Sequence, residues 1–322
     1  MNHGAESHTI LVTGGAGYIG SRLLACMAED PRFADATIRI YDNLRRSTYD
    51  GLMDLPADGR FEFIEGDILD RTNVRRAMSG VREVVHLAAL VRTPLSFEHP
   101  EWTEQVNHWG ASGVAECALE AGVRRFVYAS SASVYGLGGP FAEDAPCRPT
   151  GPYATSKLRG EKAVLSTAGR GMEVVSVRLG TTFGTAPAMR FDTVADRFAF
   201  KAGVKHPLVI HGDGSQMRPL IHVDDAAAVF MMCLDPRRAP APLLNAATIN
   251  TSVLAISEAL REILPDVEVR HTDQEADANV SFTVNSSRLQ SYGFEARHTL
   301  RSGLEEMLRR WKGFQSRVNA QA

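Results

Sequence analysis

Two side chains four residues apart have the chemistry of a proton-transfer site. Tyr153 and Lys157 stand at i and i+4 in a stretch that predicts a helix from 152 to 168, so they share one helix face. A free phenol has a pKa of about 10 and is a poor base at neutral pH unless a nearby cation stabilises the phenolate. Lys157 can be that cation. This spacing also arises by chance, so the pair needs support from other residues.

A run of serines supplies that support. Ser130 to Ser133 follows a predicted strand, Arg125–Ala129. In parallel α/β sheets, ligands bind beyond the carboxyl ends of the strands, where hydroxyl groups can hold a substrate oxygen. Ser131 and Ser133 are therefore candidates to act with Tyr153 and Lys157.

A glycine-rich loop predicts a dinucleotide site. The run Thr13-Gly-Gly-Ala-Gly-Tyr-Ile-Gly20 lies between a predicted strand, Thr9–Thr13, and a predicted helix, Tyr18–Glu29. A helix N-terminus presents unpaired N–H groups to a pyrophosphate, and glycines let the backbone approach it. Cofactor contacts are expected from Gly14, Gly17, Tyr18, Ile19 and Gly20. The alternative is an ordinary tight turn.

Acidic residues after the next strands indicate which dinucleotide binds. Asp42 ends the strand Thr37–Tyr41, where its carboxylate can accept hydrogen bonds from both ribose hydroxyls and repel a 2′-phosphate. This favours NAD over NADP, although Arg45 and Arg46 could bind a phosphate or simply be solvated. Asp67 can hold the adenine amino group or cap the following helix. The sequence leaves both roles open.

The order of the elements predicts an α/β fold. Short apolar strands alternate with helical stretches through the first 180 residues, which is typical of a doubly wound parallel sheet, a Rossmann domain. We expect residues 1–180 to bind NAD, with the chain returning to this domain around 220–248. Residues 181–219 and 249–322 are expected to form a smaller C-terminal substrate-binding lobe. The other predicted strands are Arg60–Ile64, Glu83–Leu87 and Met172–Arg178, and the other predicted helices are Asp70–Ser79, Glu101–Ala121, Val253–Leu264 and Leu300–Trp311.

Composition excludes several classes of protein. The 322 residues are 44% hydrophobic and 23% charged, which fits a globular chain rather than a disordered or fibrous one. A net charge of −3 with dispersed basic residues argues against nucleic acid or an anionic membrane as partner. The four cysteines lie far apart, so we expect no metal site, no disulfide and a reducing cytoplasm. No apolar run is long enough for a membrane span, and no signal-peptide pattern opens the chain.

Taken in order, these motifs resemble those of the extended short-chain dehydrogenases/reductases, in the NAD-dependent epimerase/dehydratase group that acts on nucleotide sugars. The resemblance covers nearly the whole chain. It implies that Tyr153 is the base, that Lys157 binds the nicotinamide ribose and lowers the tyrosine pKa, and that Ser131 completes a triad with Ser133 as a second hydroxyl. The remaining motifs that carry it are His86-Leu-Ala-Ala89, Ser130-Ser-Ala-Ser-Val-Tyr-Gly136, Gly212-Asp-Gly-Ser-Gln-Met-Arg218 and Ile221-His-Val-Asp-Asp225.

The same resemblance assigns further binding residues. Asn107 would support Lys157 through a structural water, and Thr181 stands where the family usually has an asparagine that contacts the diphosphate. Arg190 could clamp the diphosphate or pair with Asp192. The other implied NAD contacts are Asn43, Ile68, Leu87, Ala88 and Ala89, and the other implied substrate contacts are Arg92, which could also be an exposed loop arginine, and Arg218.

Two positions separate the activities within the group. The family's 4,6-dehydratases have an Asp-Glu pair directly before Val-Tyr-Gly, where this chain has Ala132 and Ser133. The resemblance is therefore to the 4-epimerases, which oxidise the sugar transiently to a keto-sugar and return the hydride to its other face. The alternatives are a ketoreductase or dehydrogenase, a dehydratase, and a non-catalytic NAD sensor. The family also implies a homodimer, formed here by Val106–Leu119 and Pro152–Ala168.

Overall fold

The centre of the molecule is a parallel sheet. The computed structural model describes residues 8–57, 60–238, 241–273, 281–311 and 313. In chain order, its strands are β1 (Thr9–Thr13), β2 (Thr37–Asp42), β3 (Phe61–Glu65), β4 (Val81–His86), β5 (Arg125–Ser131), β6 (Gly138–Phe141), β7 (Glu173–Leu179), β8 (Thr181–Phe183), β9 (Leu208–His211), β10 (Met217–His222), β11 (Leu243–Ala246), β12 (Ile249–Ser252), β13 (Val269–Thr272) and β14 (Phe282–Val284).

Seven of these strands form the main sheet, in the order β11-β7-β5-β4-β1-β2-β3, and all neighbours are parallel. The chain runs outward from β1 to β3 and then places β4 on the other side of β1. The loops after β1 and β4 therefore diverge, which opens a crevice at the carboxyl ends of these strands. The expected doubly wound α/β fold is confirmed.

Helices cover both faces of the sheet. One face packs against α1 (Tyr18–Glu29) and α9 (Val223–Leu234), and the other against α3 (Arg71–Ala77), α6 (Ala111–Glu120) and α7 (Gly151–Leu165). Strands covered on both sides are apolar throughout, as Val84 and Val85 illustrate on opposite faces of β4. The remaining helices are α2 (Asp50–Met53), α4 (Thr93–Glu98), α5 (Pro100–Glu104), α8 (Val194–Gly203), α10 (Val253–Ile263), α11 (Ser287–Ser291) and α12 (Leu300–Arg309).

A second core lies beside the sheet. Strand β10 pairs with β8 and β12 in a three-stranded sheet, and α8, α10 and α12 pack there around Phe198, Ile256 and Leu304. The chain is expected to return to the Rossmann domain around 220–248, and residues 217–222, at the start of this range, belong to the smaller sheet. The chain rejoins the main unit with α9 and β11. The domain boundaries remain a prediction, and residues 274–280, 312 and 314–322 of the expected lobe lie outside the described residues.

The long helix predicted over Glu101–Ala121 is interrupted. After α5 the chain forms a π-helical turn, Gln105–Gly110, before α6 begins. The stretch Val106–Leu119 is expected to form part of a dimer interface, but two of its apolar residues, Val114 and Ala118, are buried against the sheet. Trp109 is the large exposed side chain of this stretch. No helix among the described residues has the length and apolar character needed to cross a membrane.

The glycine loop depends on close backbone contact. A Cβ at Gly20 would lie 2.4 Å from the Gly14 carbonyl oxygen and 2.6 Å from the Gly15 Cα. We expect Gly20→Ala to lower the free energy of unfolding by about 1–3 kcal/mol, because α1 must move away from the loop. Gly113→Ala on α6 is the matched control, since its Cβ would meet only Arg71 atoms, at 3.8 Å and beyond.

Urea unfolding of the two variants checks this. The Gly113→Ala protein should be as stable as the wild type or slightly more stable, because alanine favours the helix. Equal stability of the Gly20→Ala protein and the wild type would show that the loop tolerates a side chain.

Candidate active site

A cleft of about 430 Å³ opens at the carboxyl edge of the main sheet. It gathers residues that are far apart in the chain, from the glycine loop after β1 to β14. Nineteen of the predicted catalytic and binding residues line it: Gly14, Gly17, Tyr18, Ile19, Gly20, Asp42, Asn43, Asp67, Ile68, Leu87, Ala88, Ala89, Ser131, Ser133, Tyr153, Lys157, Thr181, Arg190 and Arg218.

The glycine loop fits a pyrophosphate. Gly14 has a φ of +71°, and a Cβ there would lie 2.6 Å from the Ala88 amide nitrogen. A glycine at this position therefore lets the loops after β1 and β4 pack closely against each other. Gly17 precedes α1, whose first turn has no side-chain cap. The uncapped N–H groups and the positive end of the helix dipole therefore point into the cleft.

Asp42 is anchored at the end of β2. Its two carboxylate oxygens accept backbone hydrogen bonds from Ala16 (3.1 Å) and Leu44 (2.9 Å). Burial raises its pKa, and these hydrogen bonds lower it. Each carboxylate oxygen can accept a second hydrogen bond. The carboxylate thus fixes the glycine loop and still has the acceptor capacity that ribose hydroxyls require.

Asp67 and Asn43 form a second polar group at this end of the cleft. The Asp67 carboxylate accepts from the Leu69 amide (2.9 Å) and from Asn43 Nδ2 (3.0 Å). Helix α3 is capped by Asp70, so the capping role considered for Asp67 is wrong. Asp67 instead orders its turn and lines the cleft.

Sequence reasoning missed an aromatic residue beside these groups. The Arg45 guanidinium lies over the Trp102 ring at 3.9 Å from its centroid, and both residues line the cleft. Such stacking is attractive because the cation faces the negative side of the ring. The two residues are separated by 57 positions, so no local pattern connects them.

The expected acid–base group lies deep in the cleft. Tyr153 and Lys157 sit in the first two turns of α7, and Lys157 is 3% exposed. Burial raises the pKa of Tyr153, while a hydrogen bond with Ser131 and the charge of Arg190 lower it. Burial lowers the pKa of Lys157 to about 7, although Glu161 raises it. The Tyr153 phenol is therefore hydrogen-bonded to the Ser131 hydroxyl at the end of β5, and Lys157 lies one helical turn further along α7.

The serines after β5 point their hydroxyls at each other. Ser131 Oγ and Ser133 Oγ are 2.8 Å apart, and Ser131 also accepts from the Ser133 amide. Ala132 between them is buried in a small core with Val134 and Tyr135. This corner of the cleft therefore offers two hydroxyl groups to a ligand.

Two expected residues are absent from the cleft lining. Asn107, in the π-helical turn, bonds to both backbone groups of Leu90 and to Ser156 Oγ, so it holds the loop after β4 against α7. Arg92 is more than half exposed, with its Nε 3.9 Å from Asp192. The structure thus supports the exposed-loop alternative for Arg92.

The smaller lobe contributes basic and hydroxyl groups to the cleft wall that faces the glycine loop and the strand ends of the main sheet. Arg190 lines the cleft but is paired with Asp192, with an Nε to Oδ1 distance of 2.5 Å. This is the pairing considered as its alternative role. Arg218 also lines the cleft, where burial lowers the pKa of its guanidinium. Thr181 lies at the start of β8 on the same wall.

A buried ion pair fixes α7 to the sheet, and sequence reasoning did not find it. Arg178 on β7 binds both carboxylate oxygens of Glu161, at 2.6 and 3.0 Å, and both side chains are nearly inaccessible. Burial alone lowers the pKa of Arg178, but Glu161 more than offsets this effect. Glu161 lies one turn beyond Lys157, so the pair sets the position of that turn.

The chain is similar to known proteins in both sequence and fold. The model of the NAD dependent epimerase/dehydratase family matches residues 10–246. The chain is 27% identical to dTDP-D-glucose 4,6-dehydratase of Mus musculus over 334 residues, covering 99% of this chain and 93% of that protein. A solved structure of MoeE5 in complex with UDP-glucuronic acid and NAD is 30% identical, with a TM-score of 0.80 and coverage of 94% of this chain and 98% of that one. Epimerase Mth375 from Methanothermobacter thermautotrophicus is 30% identical, with a TM-score of 0.81 and coverage of 95% and 92%.

A buried histidine beside the cleft makes stability depend on pH. His86 is 1% exposed, its Nδ1 lies 2.6 Å from Thr13 Oγ1, and burial lowers its pKa to about 3. The unfolded chain takes up a proton below about pH 6.5, whereas the folded protein does not until about pH 3. This group therefore favours folding above pH 6.5, and its contribution is lost as the pH falls.

We expect the advantage of wild type over His86→Gln to shrink by about 2 kcal/mol between pH 8 and pH 5. Glutamine keeps a hydrogen-bonding partner for Thr13 but does not titrate. Urea unfolding at several pH values measures the difference between the two proteins. Parallel curves would mean that His86 takes up its proton as readily in the folded state as in the unfolded one.

Proposed function

The chain belongs to the NAD dependent epimerase/dehydratase family, and on this basis we propose that it is an NAD-dependent epimerase of a nucleotide sugar, acting at the sugar 4-position. The observation that carries the proposal is the set of side chains around Tyr153. Hydroxyl groups and cations surround the phenol, whereas the carboxylates among the described cleft residues, Asp42 and Asp67, lie at the glycine-loop end.

Tyr153 is the proposed base. As a phenolate it removes the proton of a sugar hydroxyl, and Ser131 holds the same oxygen by a hydrogen bond. A buried phenol ionises poorly by itself, so its pKa must be lowered by nearby positive charge. The Lys157 ammonium, one helical turn away, supplies that charge from the interior.

NAD is proposed to lie along the cleft, from the glycine loop at one end to Lys157 at the other. The N–H groups at the start of α1 bind the pyrophosphate, and Asp42 accepts from the adenosine ribose. Lys157 binds the nicotinamide ribose and so brings the reacting groups together. A bound NAD⁺ would supply the hydride acceptor for oxidation of the sugar carbon, the hydride donor, once reduced, for the other face of the keto-sugar, and positive charge near Tyr153.

The sugar corner favours epimerisation over elimination. Removing water from a keto-sugar needs an acid to protonate the leaving hydroxyl and a base to take a proton from the neighbouring carbon. Positions 132 and 133 offer a buried methyl group and a hydroxyl, and neither performs these steps at neutral pH. The keto-sugar is then left to rotate and to be reduced again.

The diphosphate lies along the lobe wall in this proposal. The guanidinium groups of Arg190 and Arg218 match phosphate oxygens in pairs, and the Thr181 hydroxyl donates one further hydrogen bond. Asp192 already accepts a hydrogen bond from Arg190. In the substrate complex, the N–H donors of this guanidinium must therefore be shared between the Asp192 carboxylate and a phosphate.

Purified protein incubated with NAD⁺ and a panel of nucleotide sugars tests the proposal. We expect interconversion of two sugars in the NMR spectrum with no net absorbance change at 340 nm. Tyr153→Phe should lower turnover by about 10²-fold or more through loss of the acid–base group, while NAD⁺ affinity stays within a few-fold.

Other outcomes point elsewhere. Stoichiometric NADH production would indicate a dehydrogenase, and a product lacking one water would indicate a dehydratase. NAD⁺ binding with no turnover would indicate a sensor. Turnover of Tyr153→Phe at the wild-type rate would remove Tyr153 from the mechanism.

We also propose a cytoplasmic homodimer. The indole of Trp109 is 67% exposed on the π-helical turn that packs beside α7, and Phe97 on α4 is 55% exposed next to Gly151. The four cysteines are unpaired, which suits a reducing compartment. Light scattering should return about 70 kDa, twice 35.1 kDa, and Trp109→Glu should return a monomer. A wild-type particle of 35.1 kDa would exclude the dimer.

A further inference from the structure

The ammonium group of Lys157 lies over an aromatic ring. Its Nζ is 4.4 Å from the centroid of the Tyr128 ring, Tyr128 is fully buried, and Lys157 is 3% exposed. A cation within about 6 Å of a ring face is attracted by the ring quadrupole, and more strongly where water is excluded. This contact therefore acts on the charge that the proposed mechanism uses.

Few other groups in the interior stabilise this charge. Nζ donates a hydrogen bond to the Ala129 carbonyl oxygen at 2.5 Å. Glu161 lies on the next turn of α7 and raises the pKa of Lys157, but both of its carboxylate oxygens bind Arg178. An ammonium has three donors, and the ring face lies against a side of Lys157 that the Ala129 carbonyl oxygen does not occupy.

The other titratable groups nearby do not compete for this role. On β4, His86 stacks against Tyr128 at 5.7 Å with an interplanar angle of 15°, and its pKa of about 3 keeps it neutral. On α7, Tyr153 becomes negative only when it ionises. Burial holds the pKa of Tyr128 well above its usual value, so this phenol stays neutral as well.

The ring of Tyr128, not its hydroxyl, makes the useful contact. The hydroxyl is buried and has no hydrogen-bond partner among the residues that the structure describes. It sits against α7 where a Cβ at Gly160 would approach to 2.7 Å. A glycine thus makes room for the phenol, and the face of the ring remains directed at Lys157.

We propose that Tyr128 is a positioning residue for Lys157: the face of its ring holds the ammonium at the carboxyl end of β5 and favours the protonated lysine. Its effect on turnover rests on the proposed function. Its effect on the proton of Lys157 does not, and the two can be measured separately.

The lysine titration can be observed directly, since the chain has five lysines. The full-length protein labelled with ¹³C and ¹⁵N at lysine gives few side-chain signals, and Lys157→Arg assigns one of them. Phenylalanine and its mono-, di- and trifluorinated forms are placed at position 128. Because these rings have nearly the same shape, the fold is preserved along the series. Each added fluorine removes part of the negative charge of the ring face.

We expect the pKa of Lys157 to fall stepwise along the series, by about one pH unit from phenylalanine to the trifluorinated ring. The same series at Phe126 is the matched control, since Phe126 is fully buried two residues earlier on the same face of β5. Substitution there should leave the Lys157 titration unchanged. A flat response at position 128, or equal responses at both positions, would overturn the proposal.

Turnover gives a second, separate measurement. Tyr128→Phe should retain the wild-type pH profile, and the trifluorinated ring should lower kcat with little change in the KM of the sugar. A wild-type enzyme without nucleotide-sugar turnover would refute the proposed function and leave the lysine titration as the test of Tyr128. If the pKa of Lys157 falls stepwise as expected while kcat stays unaltered along the series, the link between Tyr128 and catalysis is refuted.

Discussion

Burying one ammonium group is the constraint on which the site depends. A charge removed from water is stable only where dipoles, ring faces or opposite charges replace the lost hydration. Around Lys157 these are the Ala129 carbonyl at the end of β5, the ring of Tyr128, and the carboxylate of Glu161 one turn away. The first two groups lie on β5, against which α7 packs, and Glu161 lies on α7 itself, where Arg178 of β7 holds it. The position of the charge therefore depends on how α7 packs on the sheet.

Sequence reasoning found most of the main sheet. Helix α1 has the predicted limits, because a glycine loop, an apolar helical period and a preceding strand all agree there. It failed where pairing partners decide the outcome. The residues of β10 have the apolar character of a strand, but nothing local indicates that their neighbours are β8 and β12 rather than the main sheet. The π-helical turn at Gln105–Gly110 likewise leaves no periodic signal, because its apolar residues continue the pattern of the flanking helices.

Sequence motifs predicted the part of the candidate site that lies at the carboxyl ends of the strands. Residues such as Ser131, Asp42 and Ala88 reach the cleft because all carboxyl ends of a parallel sheet meet at one edge. Contacts between distant elements were missed. Tyr128 and Lys157 are 29 residues apart, and Glu161 and Arg178 are joined only when α7 packs on β7. The contacts of the Asn107 amide with Leu90 and Ser156 were missed in the same way, and its water-mediated support of Lys157 stays a prediction.

Similarity to both dehydratases and epimerases has a physical reason. In the proposed mechanism, the first step of either activity is oxidation of an alcohol, which uses the Tyr153 phenol, the Lys157 ammonium and the glycine loop, all between residues 14 and 157. The second step depends on what stands beside the keto-sugar. In this proposal, exchanging the two side chains after β5 would alter that step without changing the sheet, the glycine loop or α7. In the proposed mechanism, a shared oxidation step accounts for the identities of 27% and 30% over nearly whole chains, and positions 132 and 133 decide between elimination and rotation.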